Sequence, residues 1–439
     1  MPKFSASLHE AGDALRAGDR DTAWHKLRPA LRYPAGLEMT DAEFARALGM
    51  LEMIGKGTLT PQTGAALSAA RQAPRDIDAL LQAGHHLVEA DYPRVAATVL
   101  ARGSSQASDH PALANELASV LAQCGRYGDA FYALQQAYAA RQQDWNSRYL
   151  YVFNAIMSGH MLDARQGFSD LGAPGDEDAE RRYGQLARFL ERHALVAPTT
   201  PLDERDLRGW HHVVSGGMLT HVSPHGFDEG MNGRYATVQD TDALIHEGVL
   251  RAVAVLQAWQ LRPQRLVYSS DRASEILAQV WHQRLGIPVR AFTGDDISAP
   301  GLFLAYDLRN AEPTFRHSLA NYRPGQLLVS HASCWTEEAP FTSDISTFLY
   351  RSNTPPWAAG RRRVNPDTQL LEIVHADMAD AEAIAARIIT SSVPPEAVGD
   401  LDALASLARG AGRPPQSGAR PRFYSGSPVL SSRSSRVMV

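Results

Sequence analysis

Cysteine is almost missing from this chain of 439 residues: there are two, Cys124 and Cys334, in separate regions. A disulfide framework is therefore excluded, and a reducing, cytoplasmic setting is the expectation. Long apolar runs are missing as well. No uncharged stretch approaches the roughly 20 residues of a membrane-spanning helix, and the opening "MPKFSASLHEAGDALR" has no apolar core of a secretory signal. Excess positive charge is absent too, the formal net charge being −5, which argues against general binding of nucleic acid. Three glycine signatures do not occur: G-x-x-x-x-G-K-[ST], G-x-G-x-x-G and G-x-S-x-G, where Ser215 has Val213 two places before it. ATPase, dinucleotide-dependent redox and ordinary α/β-hydrolase chemistry lose weight accordingly.

What is present divides in two. Up to about residue 196 the chain is rich in Ala, Leu, Gln and Arg, with apolar residues at helical spacing. "LLQAGHHLVEADYPRVAATVL" from Leu80, "LASVLAQCGRYGDAFYALQQA" from Leu117 and "YVFNAIMSGHMLDARQGFSDL" from Tyr151 align with one another. In each, a large residue (Tyr92, Tyr127, Met161) comes three places before a small or branched one (Val95, Ala130, Ala164), at steps of 35 and 34 residues. "LRAGDRDTAWHKLRPAL" from Leu15 repeats the corner with Ala23, while "GKGTLTPQTG" interrupts the pattern. This period resembles the tetratricopeptide repeat family over roughly residues 4–194. The resemblance implies a superhelical scaffold whose concave face takes a peptide or protein partner; an irregular supporting bundle is the alternative.

"VAPTTPLDERDLRG" marks a linker over 197–208, after which short β-branched runs alternate with helical patterns. The strand candidates are "HHVV", "MLTHV", "RLVYS", "PVRAF", "LFLAYDL", "QLLVSHA" and "LLEIV"; "VVSGGMLTHV" could instead be a hairpin turning at Gly216 and Gly217. The expected architecture is α + α/β: repeats over 1–196, a three-layer α/β domain with a mainly parallel sheet over 209–396, a short helix over 397–410, and a disordered basic tail over 411–439.

Chemistry concentrates in four places. "SSDRAS", between the strand "RLVYS" and a helix, offers the hydroxyls of Ser269, Ser270 and Ser274, the carboxylate of Asp271 and the guanidinium of Arg272 near a helix N-terminus. Here the chain resembles the pyrophosphate-loop region of type I phosphoribosyltransferases, over residues 264–292. That resemblance implies a phosphorylated or nucleotide-like ligand, but "LFLAYDLRNAEP" supplies one acid, Asp307, where the family has a pair; a helix cap is the plainer alternative.

The loop from His211 to Tyr235 carries His221, His225 and Asp228 as acid–base candidates, with Gly216, Gly217 and Arg234 placed to hold a ligand. His221, His225, Asp228 and Glu229 could also ligate a metal, although no spacing matches a zinc signature, and no cofactor is indicated. "LLVSHASCWTEEAPF" brings His331 near Cys334, and "TGDDIS" pairs Asp295 with Asp296. The leading reading is an interaction scaffold coupled to a ligand-binding α/β domain. A phosphosugar or nucleotide transferase or hydrolase is the second, and a structural part of a larger assembly the third.

Overall fold

The computed structural model describes residues 4–225, 230–337, 339–365, 367–424 and 426–431. The chain forms two compact units, one ending at Leu186 and the other beginning at Ala187.

The first unit is built from helix pairs: α1 (Ser5–Arg16) with α2 (Arg20–Leu31), α3 (Asp41–Ile54) with α4 (Pro61–Gln72), α5 (Ile77–Glu89) with α6 (Pro93–Ser104), and α7 (Pro111–Gln123) with α8 (Tyr127–Gln136). A short α9 (Tyr138–Gln143) precedes the pair α10 (Trp145–Met157) and α11 (Met161–Ser169), and α12 (Glu177–Val196) begins in this unit and runs past its end at Leu186. Starts are specified locally. Asp19, Asp76 and Asp144 accept the backbone N–H three residues on, Thr40 and Glu43 form a reciprocal capping box, and Pro61, Pro93 and Pro111 sit where a missing N–H costs nothing.

Corners follow the repeat. Gly18, Asp91, Gly125 and Gly159 adopt left-handed φ of 80°, 65°, 70° and 82°, ending one helix so that the next folds back. The small anchors Ala23, Val95, Ala130 and Ala164 are all buried, which lets paired helices approach closely. "GKGTLTPQTG" hides another corner. Gly57 turns at φ 94° and Thr60 caps α4, so the interruption is a longer link within a pair of the same kind.

The second unit has a parallel sheet in the order β1-β7-β6-β5-β3-β4, with β2 also on β7. Its strands are β1 (Met218–Leu219), β2 (Tyr235–Gln239), β3 (Leu266–Tyr268), β4 (Val289–Ala291), β5 (Gly301–Asp307), β6 (Gln326–Cys334) and β7 (Ile345–Thr354). Two short strands share one edge: β1 pairs the start of β7 (Met218 with Ile345) and β2 its end (Tyr235 with Tyr350). Of the glycine- and histidine-rich segment from His211 to Tyr235, only residues 220–225 and 230–234 are described chain between these two strands.

Helices α13 (Leu207–Ser215), α14 (Asp242–Ala258), α15 (Arg272–Leu285), α16 (Pro313–Ser318), α17 (Ala381–Thr390) and α18 (Leu401–Ala411) complete the unit. α14, α15 and α17 pack together over one face, while α16 sets Phe315 and Leu319 against Phe303, Ala305 and Leu328 on the other. The chain is therefore an α + α/β protein with a helical half and a three-layered half.

Several expectations need correction. "HHVV" is helical, because Leu207, Trp210, Val213 and Val214 lie on one side of α13, Asp206 caps it and Gly216 ends it at φ 76°; the stretch is no hairpin. "LLEIV" lies outside the main sheet: β9 (Leu371–Val374) pairs antiparallel with β8 (Arg361–Val364), the "GRRRV" cluster. The stretch beyond Ala411 is not loose chain where it is described. Ala419 bridges Asn321, Thr342 N–H donates to the Pro421 carbonyl (2.9 Å), and Arg420 pairs with Asp344 at 2.5 Å, both side chains out of reach of water. Phe423 and Val429 are buried with them, so three well-placed anchors outweigh a Gly, Pro and Ser composition.

Candidate functional site

The chain leaves β3 through α15 toward β4 and leaves β5 through α16 toward β6, so the carboxyl ends of β3 and β5 form the topological switch point where open parallel sheets take ligands. "SSDRAS" lies there, but its groups are engaged. Ser269 Oγ accepts the Glu312 N–H (2.9 Å) and Ser274 Oγ accepts the Tyr306 N–H (2.9 Å), stitching the crevice shut. Asp271 caps α15 through the Ser274 N–H, and Ser270 is exposed. Arg272 reaches away, donating to the carbonyls of Asp377 and Ala379, both at 2.8 Å. The helix-cap alternative describes these residues; a cradle of free hydroxyls with a guanidinium clamp does not.

Asp307 faces the opposite side. Burial pushes its carboxyl up, against hydrogen bonds from the Tyr350 hydroxyl and the Arg309 N–H. It borders a cavity of about 70 Å³ with Arg309, Arg316, Cys334 and Phe341. His331 does not face Cys334: its Nε2 bonds Asp240 (2.9 Å) and its Nδ1 bonds Thr347 (3.2 Å). Asp240 also accepts from Tyr306 at 2.7 Å. Asp296, from "TGDDIS", is buried and paired with Arg265 and Arg290, whereas Asp295 is exposed.

In the loop from His211 to Tyr235, His221 joins a second buried row. Its Nδ1 meets Glu247 (2.8 Å), its Nε2 meets the Tyr235 hydroxyl (2.7 Å), and Glu247 holds Arg251 at 2.6 Å. The order carboxylate, imidazole, hydroxyl has the form of a proton relay, yet burial pushes the Tyr235 phenol up to about 12, so it stays protonated at neutral pH. Every member is held by another group of the protein, which makes the row a brace. His225 is exposed beside Ser223, and Asp228 and Glu229 lie outside the described residues. Gly216 and Gly217 serve close packing: a Cβ on Gly217 would meet the Ser343 carbonyl at 2.4 Å. Among the described residues no cluster of His, Cys, Asp and Glu is arranged to hold a metal. Arg272, Asp307, His225 and His331 thus do not converge.

Sequence reasoning missed the partners Glu247, Asp240 and Tyr306. One signal was available: Glu247 and Arg251 are an i, i+4 charged pair inside the apolar run "ALIHEGVLRAVAVL". It also missed a groove of about 1070 Å³ in the helical unit, walled by α1, α3 and α4. Arg16, Arg46, Lys56 and Arg71 line it, with Glu52 as the acid among its lining residues. Arg16 is paired with Asp13, and Arg71 stands 3.8 Å from Glu52; among the described residues no carboxylate pairs with Arg46 or Lys56.

No protein-family model matches the chain. No curated protein matches it. Among solved structures, one titled MamA AMB-1 aligns at 15% identity over 38% of this chain and 95% of that chain, with a TM-score of 0.23. A MamA mutant aligns at 14% identity over 42% of this chain and 97% of that one, with a TM-score of 0.22. At these scores the likeness carries no weight for fold or activity.

Proposed function

We propose that the protein is an interaction scaffold whose helical unit docks an acidic segment of a partner protein in the groove between α1, α3 and α4. The observation that carries this reading is the imbalance of charge along that groove: four cations to one acid, with Arg46 and Lys56 unopposed. Gly12, Gly49 and Gly64 keep its walls low, so an extended backbone can approach. A cytoplasmic setting belongs to the same reading and is supported by two free, buried cysteines, of which Cys124 is pushed up to about 11 by burial and stays a thiol.

Fluorescence anisotropy of a labelled oligo-glutamate peptide with the full chain tests the proposal. Binding should weaken as salt rises, and the double variant Arg46→Glu, Lys56→Glu should bind at least tenfold more weakly. Equal affinity in the variant would remove the groove as the docking site.

A further inference from the structure

Cations in this fold differ in the room left beside them. Arg234 is buried among Trp210, Trp335, Phe423 and Tyr424 with a space of about 10 Å³, enough for one water and nothing larger. Arg94 lines a cavity of about 140 Å³ in the helical unit, close to the volume of about 150 Å³ that takes benzene in an engineered apolar cavity. The walls come from two places in the chain. α2 and its C-cap supply Trp24 and Arg32, and the corner and first turn of α6 supply Asp91, Tyr92 and Arg94. Tyr92 stands edge-on to Trp24 with ring centroids 5.4 Å apart, so an aromatic pair and two arginines share one space.

Charge there is unbalanced. Among the described residues no carboxylate forms an ion pair with Arg94 or Arg28, and Asp91, the acid of the wall, is exposed. Burial, with Arg94 and Arg28 beside it, holds the Arg32 guanidinium below its ordinary range. The positive end of α6, which opens at Pro93, adds to the same sign. Like charges gathered at one space repel, and an anion between them turns that repulsion into charge-assisted hydrogen bonds.

We infer that this cavity binds a phosphate monoester, its phosphoryl group between Arg32 and Arg94 and its organic part against Trp24 and Tyr92. A tetrahedral dianion offers oxygens to guanidinium groups arriving from two elements, whereas a carboxylate is filled by a single fork. The aromatic pair gives the organic part a surface that bare phosphate cannot use. A free small ester and a phosphorylated side chain of a partner present the same chemistry to this space. The inference does not rest on the docking groove, with which the cavity shares no lining residue.

Titration calorimetry of the full chain with phenyl phosphate tests it, with inorganic phosphate and benzoate in separate arms. Phenyl phosphate should bind saturably at one site, inorganic phosphate more weakly, and benzoate at least tenfold more weakly. Arg94→Gln should weaken phenyl phosphate at least tenfold, while the double variant Arg46→Glu, Lys56→Glu should leave it unchanged. Trp24→Ala should bring phenyl phosphate down to the affinity of inorganic phosphate. Circular dichroism checks that each variant is folded, and Arg32→Gln repeats the measurement should Arg94→Gln unfold. A blocked phosphotyrosine tripeptide in a further arm separates the two sources: tighter binding than phenyl phosphate assigns the site to a modified side chain, equal or weaker binding to a free ester. The inference is overturned if phenyl phosphate gives no saturable heat, if benzoate binds as well, if the folded arginine variant keeps the parent affinity, or if the groove variant loses it.

Discussion

His211 and His212 lie side by side in α13, both buried, and burial pushes each down to about 3 from an ordinary value of 6.5. As pH falls, the unfolded chain takes up these protons first, so their contribution is complete above about pH 6.5 and is lost from there down to pH 3. Each histidine should cost up to about 1.4 kcal/mol of stability per pH unit in that window. Melting temperatures measured from pH 7.5 to 4.5 should fall accordingly, and His211→Phe, which keeps a ring against Phe423, should flatten the slope. A level profile in the parent would mean that water reaches the imidazoles. At this scale the sequence was least legible. His331 finds Asp240 from 91 positions away and His221 finds Glu247 from 26, distances over which residue types carry no information about partners.

Helix pairs were legible because their rule is local: a corner residue, then a small residue at fixed spacing. The same rule gives a paired expectation. In α5 a Cβ on Gly84 would fall 2.4 Å from Leu100, which has no room to move, whereas on Gly128 in α8 the nearest atom is Ser158 Cβ at 4.0 Å. Gly84→Ala should therefore destabilise by about 1–3 kcal/mol, and Gly128→Ala should stabilise by roughly 0.5–1 kcal/mol; urea midpoints of the two variants should move in opposite directions. Strands were harder. β7 carries Ser346, Thr347, Ser352 and Asn353 and does not look like a core strand, yet its first six residues are buried because β6 lies on one side and β1 and β2 on the other. β1 and β2, two and five residues long, exist only by leaning on it.

For the whole molecule the misleading feature was composition. The stretch beyond Ala411 has the Gly, Pro and Ser content of a linker, and nothing local distinguishes Arg420 from its neighbouring arginines until Asp344 is placed opposite it. Arg420→Met would leave Asp344 buried and unpaired, and should cost about 3–5 kcal/mol. Hydrogen exchange should show the loss in the amides of β5, β6 and β7, with the helical unit protected as before; unchanged exchange in the sheet would show that the strap is dispensable. Chain order gives this strap a further consequence. During synthesis, domains usually fold as they emerge, and every helix pair is complete before the first strand is made. All seven strands of the sheet are translated before residues 419–423, which then cover a face already formed. The α/β unit therefore passes through an interval on the ribosome in which Asp344 has no counter-charge and the aromatic walls around Arg234 lack Phe423 and Tyr424. In that interval the unit is most open to proteases and to chaperones that hold exposed apolar surface.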